Sequence, residues 1–286
     1  MATSGCDQVW SKAICDDIAS AVMTTVNQIR CAQRVFHPTV LGNGQTSVPN
    51  HILGGPGPLT IQEGSTKPLI ELSFEFALTH TQVDAEGSLH NGKTLALLAA
   101  KAVARAEDAI LFMGEHANLP RGVQVANRDS AGAGLVGAAG ATIEVSTNPA
   151  DGYPGSILES VARGISDLVA QGQPGPYAFF LDSRIFADTH SPLRGTLVTT
   201  SHPITQLVQG AFCSVPRLEA AHAAGNTVPA GLLASLGGEP TTIYLGADTT
   251  TAYTQQDQGG NFRFRVFERI QFVARDEDAL VRYLFM

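Results

Sequence analysis

The stretch from Ser130 to Gly140, SAGAGLVGAAG, spaces Gly132, Gly134 and Gly137 as G-x-G-x-x-G. In that pattern, backbone amides at a helix start cradle a dinucleotide pyrophosphate. The chemistry needs a buried strand before the first glycine and a helix after the last. Here the preceding residues are LPRGVQVANRDSA, no apolar strand, and the following AAGATIEV meets another glycine and then a strand. The context fails on both sides, so the glycines predict a pliant crossing between two subdomains. A dinucleotide-dependent enzyme is the alternative that rests on this stretch alone.

Other residue types that could do chemistry are scattered. Glu71 and Glu75 share one face of an alternating strand, but four residues of strand separate them by about 13 Å, too far for a glycosidase pair. Glu107 and Asp108 are neighbours on a helix, point about 100° apart, and read as solvated charges. Of the eight histidines, Glu115-His116 and the His80/His90 neighbourhood are the closest to a constellation, and neither has a zinc spacing. No G-x-S-x-G elbow is present. Cys6, Cys15, Cys31 and Cys213 lack C-x-x-C spacing and read as buried reduced thiols. The expectation is a chain that is not an enzyme, with no catalytic residue, no metal site and no cofactor.

The elements that would position such groups follow from the patterning. Apolar residues at Trp10, Ile14, Ile18, Val22, Val26 and Ile29 predict an amphipathic helix over Asp7 to Arg30. Gly42 to Lys67 is rich in Gly and Pro, yet HIL and LTI flank GGPG, so it reads as a two-stranded arm whose packing partner lies elsewhere. PLIELSFEFALT alternates as a half-buried strand. Lys93 to Met113 predicts a long Ala-rich helix stopped by Gly114. Beyond it come ATIEV, a helix over Ser156 to Gly172, the buried strand GPYAFFLD, a loop from His190 to His202, and a short helix capped by Ser201 and ended by Gly210. Strands are expected at AFCSV, TTIYLGA, TTTAYTQ, NFRFRVFERIQFV and VRYLFM, giving a mixed α+β chain.

Composition bounds the rest. The 286 residues are 44% apolar with a formal charge of −8, enough for a large core and without the Lys/Arg-rich run of a nucleic-acid footprint. No window of about 18 apolar residues and no leader pattern appears. The reading is a cytoplasmic protein with neither nucleic acid nor membrane as partner.

In this order the segments resemble the encapsulins, bacterial shell proteins with the tailed-phage capsid fold. The match is carried by PLIELSFEF, AEDAILFMG (Ala106 to Gly114), GPYAFFLDS, SVPRLEA (Ser214 to Ala220) and FERIQFVARDEDALVRYLF, in family order from about Trp10 to the end. The resemblance implies a Hong Kong 97-type major capsid fold. Residues 1–41 would be the lumenal helix and the start of the P-domain, 42–67 the E-loop, 68–133 the P-domain with its spine helix, 134–252 the A-domain, and 253–286 a return to the P-domain. It also implies an icosahedral homo-oligomer that encloses a cargo enzyme, a peroxidase or a ferritin-like iron oxidase serving iron storage, through the cargo's C-terminal targeting peptide. A tailed-phage major capsid protein shares the fold and is the alternative; the near-neutral N-terminal helix argues against it.

By the same resemblance, Trp10, Ile14, Ile18 and Phe36 are candidates for the cargo-docking groove. The A-domain tip, with His190, Ser191, Thr199 and His202, would line a five-fold pore with small polar side chains, and its histidines would add positive charge below about pH 6.5. Some encapsulins carry an aromatic flavin platform where THTQ stands near Thr81. This sequence lacks it, so no flavin is expected. Residues 115–133 and 222–238 read as loops longer than the family's.

Overall fold

The computed structural model describes residues 5–286 except 43, 51, 55–59, 63–64, 194–196 and 223–225. A 3-10 turn at Cys6–Gln8 leads into α1 (Lys12–Ile29) and the single turn α2 (Ala32–Val35). Helix α1 therefore begins after Trp10, with Ser11 as its N-cap. Its buried stripe is Ile18, Val22 and Val26, each contributing roughly 1.5–3 kcal/mol through apolar burial.

The short edge strand β1 (Thr39–Val40) precedes the arm, which is built from β2 (Ser47–Pro49), β3 (Ile52–Gly54), β4 (Thr60–Gln62) and β5 (Thr66–Pro68). Next come β6 (Ile70–Leu78), the turns α3 (His80–Asp84) and α4 (Glu86–Leu89), and the long helix α5 (Asn91–Met113). Thr79 and Gln82 form a capping box at the start of α3. Strand β7 (Val123–Ala126) pairs with β6, so part of the expected loop over 115–133 is sheet.

The second half contains α6 (Gly134–Gly137), β8 (Ala141–Val145), α7 (Gly155–Ala170), β9 (Tyr177–Asp182), α8 (Ser183–Thr189) and α9 (Ser201–Val208). It closes with β10 (Gln209–Val215), β11 (Glu219–Ala221), β12 (Thr227–Ser235), β13 (Thr241–Gln256), β14 (Phe262–Ala274) and β15 (Leu280–Phe285). Helix α9 starts at Ser201 rather than after it, because Thr200 is the N-cap, and it stops at Gln209, which adopts a left-handed φ of 60°.

Two sheets organise these elements. One runs β1-β13-β14-β6-β7, the other β10-β9-β12-β15-β8 with β11 on β12. The alternation read in β6 and β14 is real. Leu72, Phe264, Val266 and Ile270 enter the core beneath α1 and α5, while on the other face Arg265 and Arg269 grip Glu71 at 2.8 and 2.6 Å. Glu71 is thus ion-paired to two arginines on its own sheet face.

Three expectations are corrected by this topology. The stretch expected as a long loop over 222–238 holds β12, the strand between β9 and β15; residues 223–225 of that stretch lie outside the described residues. Buried on both faces, β12 uses small and aliphatic residues without alternation, and a Cβ on Gly231 would sit 2.8 Å from Leu181. TTIYLGA and TTTAYTQ are one strand, β13, whose register shifts let it bend without breaking. The boundary at residue 252 does not divide the sheets: β13 belongs wholly to the first, and the last strand, β15, lies in the second beside β8.

Candidate functional site

The arm forms sheets apart from the two larger ones. Among the described residues, β2 pairs only with β5 and β3 only with β4, as two separate two-stranded ladders. A two-stranded hairpin alone is marginal in water. The base is anchored where Val48 packs with Leu69 and Val273. Residues 51, 55–59 and 63–64 of this stretch lie outside the described residues.

The N-terminal candidates separate on burial. Trp10 stacks on Phe264 at 4.7 Å, and its Nε1–H donates to the Val83 carbonyl. Ile18 is 2% exposed, and Phe36, 5% exposed, stacks on Phe180. These three are core residues of this subunit. Ile14 is half-buried and is the one of the four with side-chain surface to offer a ligand.

Sequence reasoning missed the cluster beneath α1. Glu107 and Asp108, read as solvated, are 0% and 3% exposed. Asp108 accepts from the Cys31 and Ala32 amides at the start of α2, at 2.8 to 3.0 Å, and burial lifts its carboxyl to about 6. Glu107 lies 4.0 Å from Arg30, whose guanidinium also meets Glu268 at 3.5 Å and Asp248 at 3.2 Å. Gln33 and Thr249 donate to Glu268. One guanidinium cannot neutralise three carboxylates, so burial and the adjacent Glu268 push Glu107 well above the usual carboxylate range. Burial lifts Glu268 to about 7. The cluster ties the end of α1 to α5, β13 and β14. Its partners lie up to 238 residues apart in sequence, and no local pattern announces them.

The cysteines also depart from expectation. Cys6 and Cys15 are disulfide-bonded, while Cys31 and Cys213 are free and buried. The Cα atoms of the bonded pair are 6.0 Å apart because the first turn of α1 doubles back beside the 3-10 turn.

The glycine stretch is explained by close packing. A 3-10 turn, not a strand, precedes Gly132, and α6 is a single helical turn. Gly114 and Gly134 both have positive φ, and a Cβ on Gly134 would lie 2.3 Å from the Gly114 amide nitrogen. The backbones therefore touch where α5 ends and the second sheet begins, as a crossing requires. Among the described residues, no group of three or more His, Cys, Asp or Glu is placed to hold a metal ion.

The tip loop between α8 and α9 is pinned by a bridge between Pro192 and Thr199. His190 packs on Phe186, with ring centroids 4.5 Å apart, and its Nδ1 meets the Phe186 carbonyl at 2.9 Å. Ser191 and His202 are exposed, and the Thr199 hydroxyl meets that of Ser201. The expected small polar surface is corrected in one respect: Leu197 is 95% and Val198 59% exposed. Residues 194–196 lie outside the described residues.

The fold built from these parts is that of phage and encapsulin shells. The chain is similar to the virus-like particle protein of Pyrococcus furiosus, with TM-score 0.66 and 14% identity over 94% of this chain and 98% of that one. It is similar to the capsid protein of Myoviridae phage XM1, with TM-score 0.55 and 11% identity over 87% and 89% of the two chains. A third likeness is to the SrpI encapsulin of Synechococcus elongatus, with TM-score 0.54 and 9% identity over 88% and 86%. At these identities the likeness shows the fold, a Hong Kong 97-type capsid fold. No curated protein sequence matches the chain. The sequence profile described as "Encapsulating protein for peroxidase" matches residues 7–271, and with nearly the whole chain inside that match, the chain belongs to this family of encapsulating shell proteins.

Proposed function

We propose that the chain is the subunit of a self-assembling icosahedral nanocompartment in the cytoplasm, enclosing an enzyme that carries a C-terminal targeting peptide. The observation that carries this is the arm: ladders that, among the described residues, pair only with each other, on a chain of an encapsulating family, need a second copy to pack against. Among the two cargo classes, the family's description favours a peroxidase over a ferritin-like iron oxidase. Peptide docking is assigned to the flank of α1 that includes Ile14.

The test is deletion of Asn43 to Thr66. The reading expects shells to be lost while circular dichroism of the remaining subunit keeps its helix and strand content. Shells that persist without the arm overturn it.

A further inference from the structure

The Cys6–Cys15 bond closes a small ring at the start of the chain. Within it, the Val9 and Trp10 amides donate to the Cys6 carbonyl, and the Cys15 amide donates to Ser11. Cys6 is 3% exposed, whereas Cys15 is half-buried. Gly5, at φ +64°, brings the turn against the Tyr253 backbone. The next anchor is Trp10, wedged between Phe264 and the Val83 carbonyl, and so close to α5 that a Cβ on Gly92 would lie 2.6 Å from its ring.

These facts place the bond at a boundary. C-terminal to it, α1 is held by its own hydrogen bonds and by core burial of Ile18, Val22 and Val26. Within the ring, the three-residue 3-10 turn has one buried side chain, Cys6. A covalent link restricts the opened states of so short a segment. In reducing compartments, disulfides are transient and sensing rather than structural.

We propose that Cys6–Cys15 is a redox clasp, opened by a dithiol reductant, that controls whether the segment from Gly5 to Ser11 is locked onto the first sheet. A reductant thiolate attacks the reachable Cys15 sulfur, and Cys6 leaves as a thiolate and takes up a proton. The reductant's second thiol then displaces Cys15, closing the reductant's own disulfide, so two electrons pass and two protein thiols form. Opening frees the turn and loosens Trp10, while α1 and the acid cluster stay in place. The inference takes its reducing surroundings from the cytoplasmic placement proposed above and does not depend on which cargo is enclosed.

The chain has one tryptophan, Trp10, so its emission reports on this site only. The experiment uses the full chain purified without reductant, in its native oligomeric state, before and after dithiothreitol. Alkylation in denaturant is expected to find two free thiols before reduction and four after. Reduction is expected to shift Trp10 emission to the red and to speed amide exchange of residues 6–10 roughly tenfold or more, with exchange in α5 unchanged. Cys15→Ser is expected to show the reduced pattern without reductant and no further response, whereas Cys31→Ser with Cys213→Ser is expected to keep the full response. Four free thiols in air-oxidised protein, or exchange at residues 6–10 that is the same in both redox states of the wild type, overturns the proposal.

Discussion

Glu107 and Glu268, on different elements and 161 positions apart, face the same guanidinium, with Arg30 at 4.0 Å from the first and 3.5 Å from the second. Both are 0% exposed. Their relationship sets the pH response. The folded chain holds these protons to higher pH than the unfolded chain, where a glutamate titrates near 4.5. Stability from this cluster is therefore complete below about pH 4.5 and is lost as pH rises through about 7. Thermal unfolding should show a lower midpoint at pH 9 than at pH 6. Glu107→Gln, which stays neutral and can donate to Glu268, should raise the midpoint at pH 9 by about 3 °C or more and flatten the profile. Parallel pH profiles for the two proteins contradict this.

Gly134→Ala should be strongly destabilising, because it adds a Cβ 2.3 Å from the Gly114 backbone at a φ of +71°. A cost of roughly 2 kcal/mol or more is expected, read as loss of soluble protein or of several degrees in midpoint. Gly87→Ala, with nothing within 4 Å of the added carbon, should be silent. If Gly134→Ala is also silent but abolishes binding of NAD in titration calorimetry, the glycines serve a cofactor after all.

How far the sequence carried depends on how local each signal is. Strand β6 was legible because one face packs beneath α5 and the other meets water and arginines, so its side chains alternate. The arm was legible because Gly and Pro surround two short apolar runs without a core of their own. Strand β12 was not, since burial on both faces erases alternation and TVPAGLLAS then looks like a small-residue loop. Glu107 and Asp108 could not be read as buried, because their partners arrive from Arg30, Cys31, Ala32 and Glu268. The docking list mixed two kinds of apolar residue for a similar reason. Periodicity marks Ile14 and Ile18 alike, and only the packing of α1 onto α5 and β13 separates the half-buried one from the core one.

That separation is testable. Ile18→Asp should abolish folding, since it puts a carboxylate where the side chain is 2% exposed. Ile14→Asp should leave particles intact by electron microscopy and release co-expressed cargo. Retained cargo in Ile14→Asp particles removes this flank from the docking reading.

The tip loop carries its own expectation. With Leu197 95% exposed, a loop that surrounds a pore presents a ring of apolar groups, which resist hydrated ions. Leu197→Glu should then speed entry of a small cation into the particle roughly tenfold. His190→Ala should change it less, because that ring is packed on Phe186 and tied to its carbonyl. An unchanged rate in Leu197→Glu places the pore elsewhere.

The central claim is that this chain alone encodes a closed shell, because the described residues of its arm pair only with each other and it belongs to an encapsulating family. Electron microscopy of the full-length chain, purified without any partner, tests it most directly. The account predicts closed particles of uniform diameter with icosahedral symmetry. Monomers, small open rings or amorphous aggregates, from protein whose circular dichroism shows it folded, would contradict it.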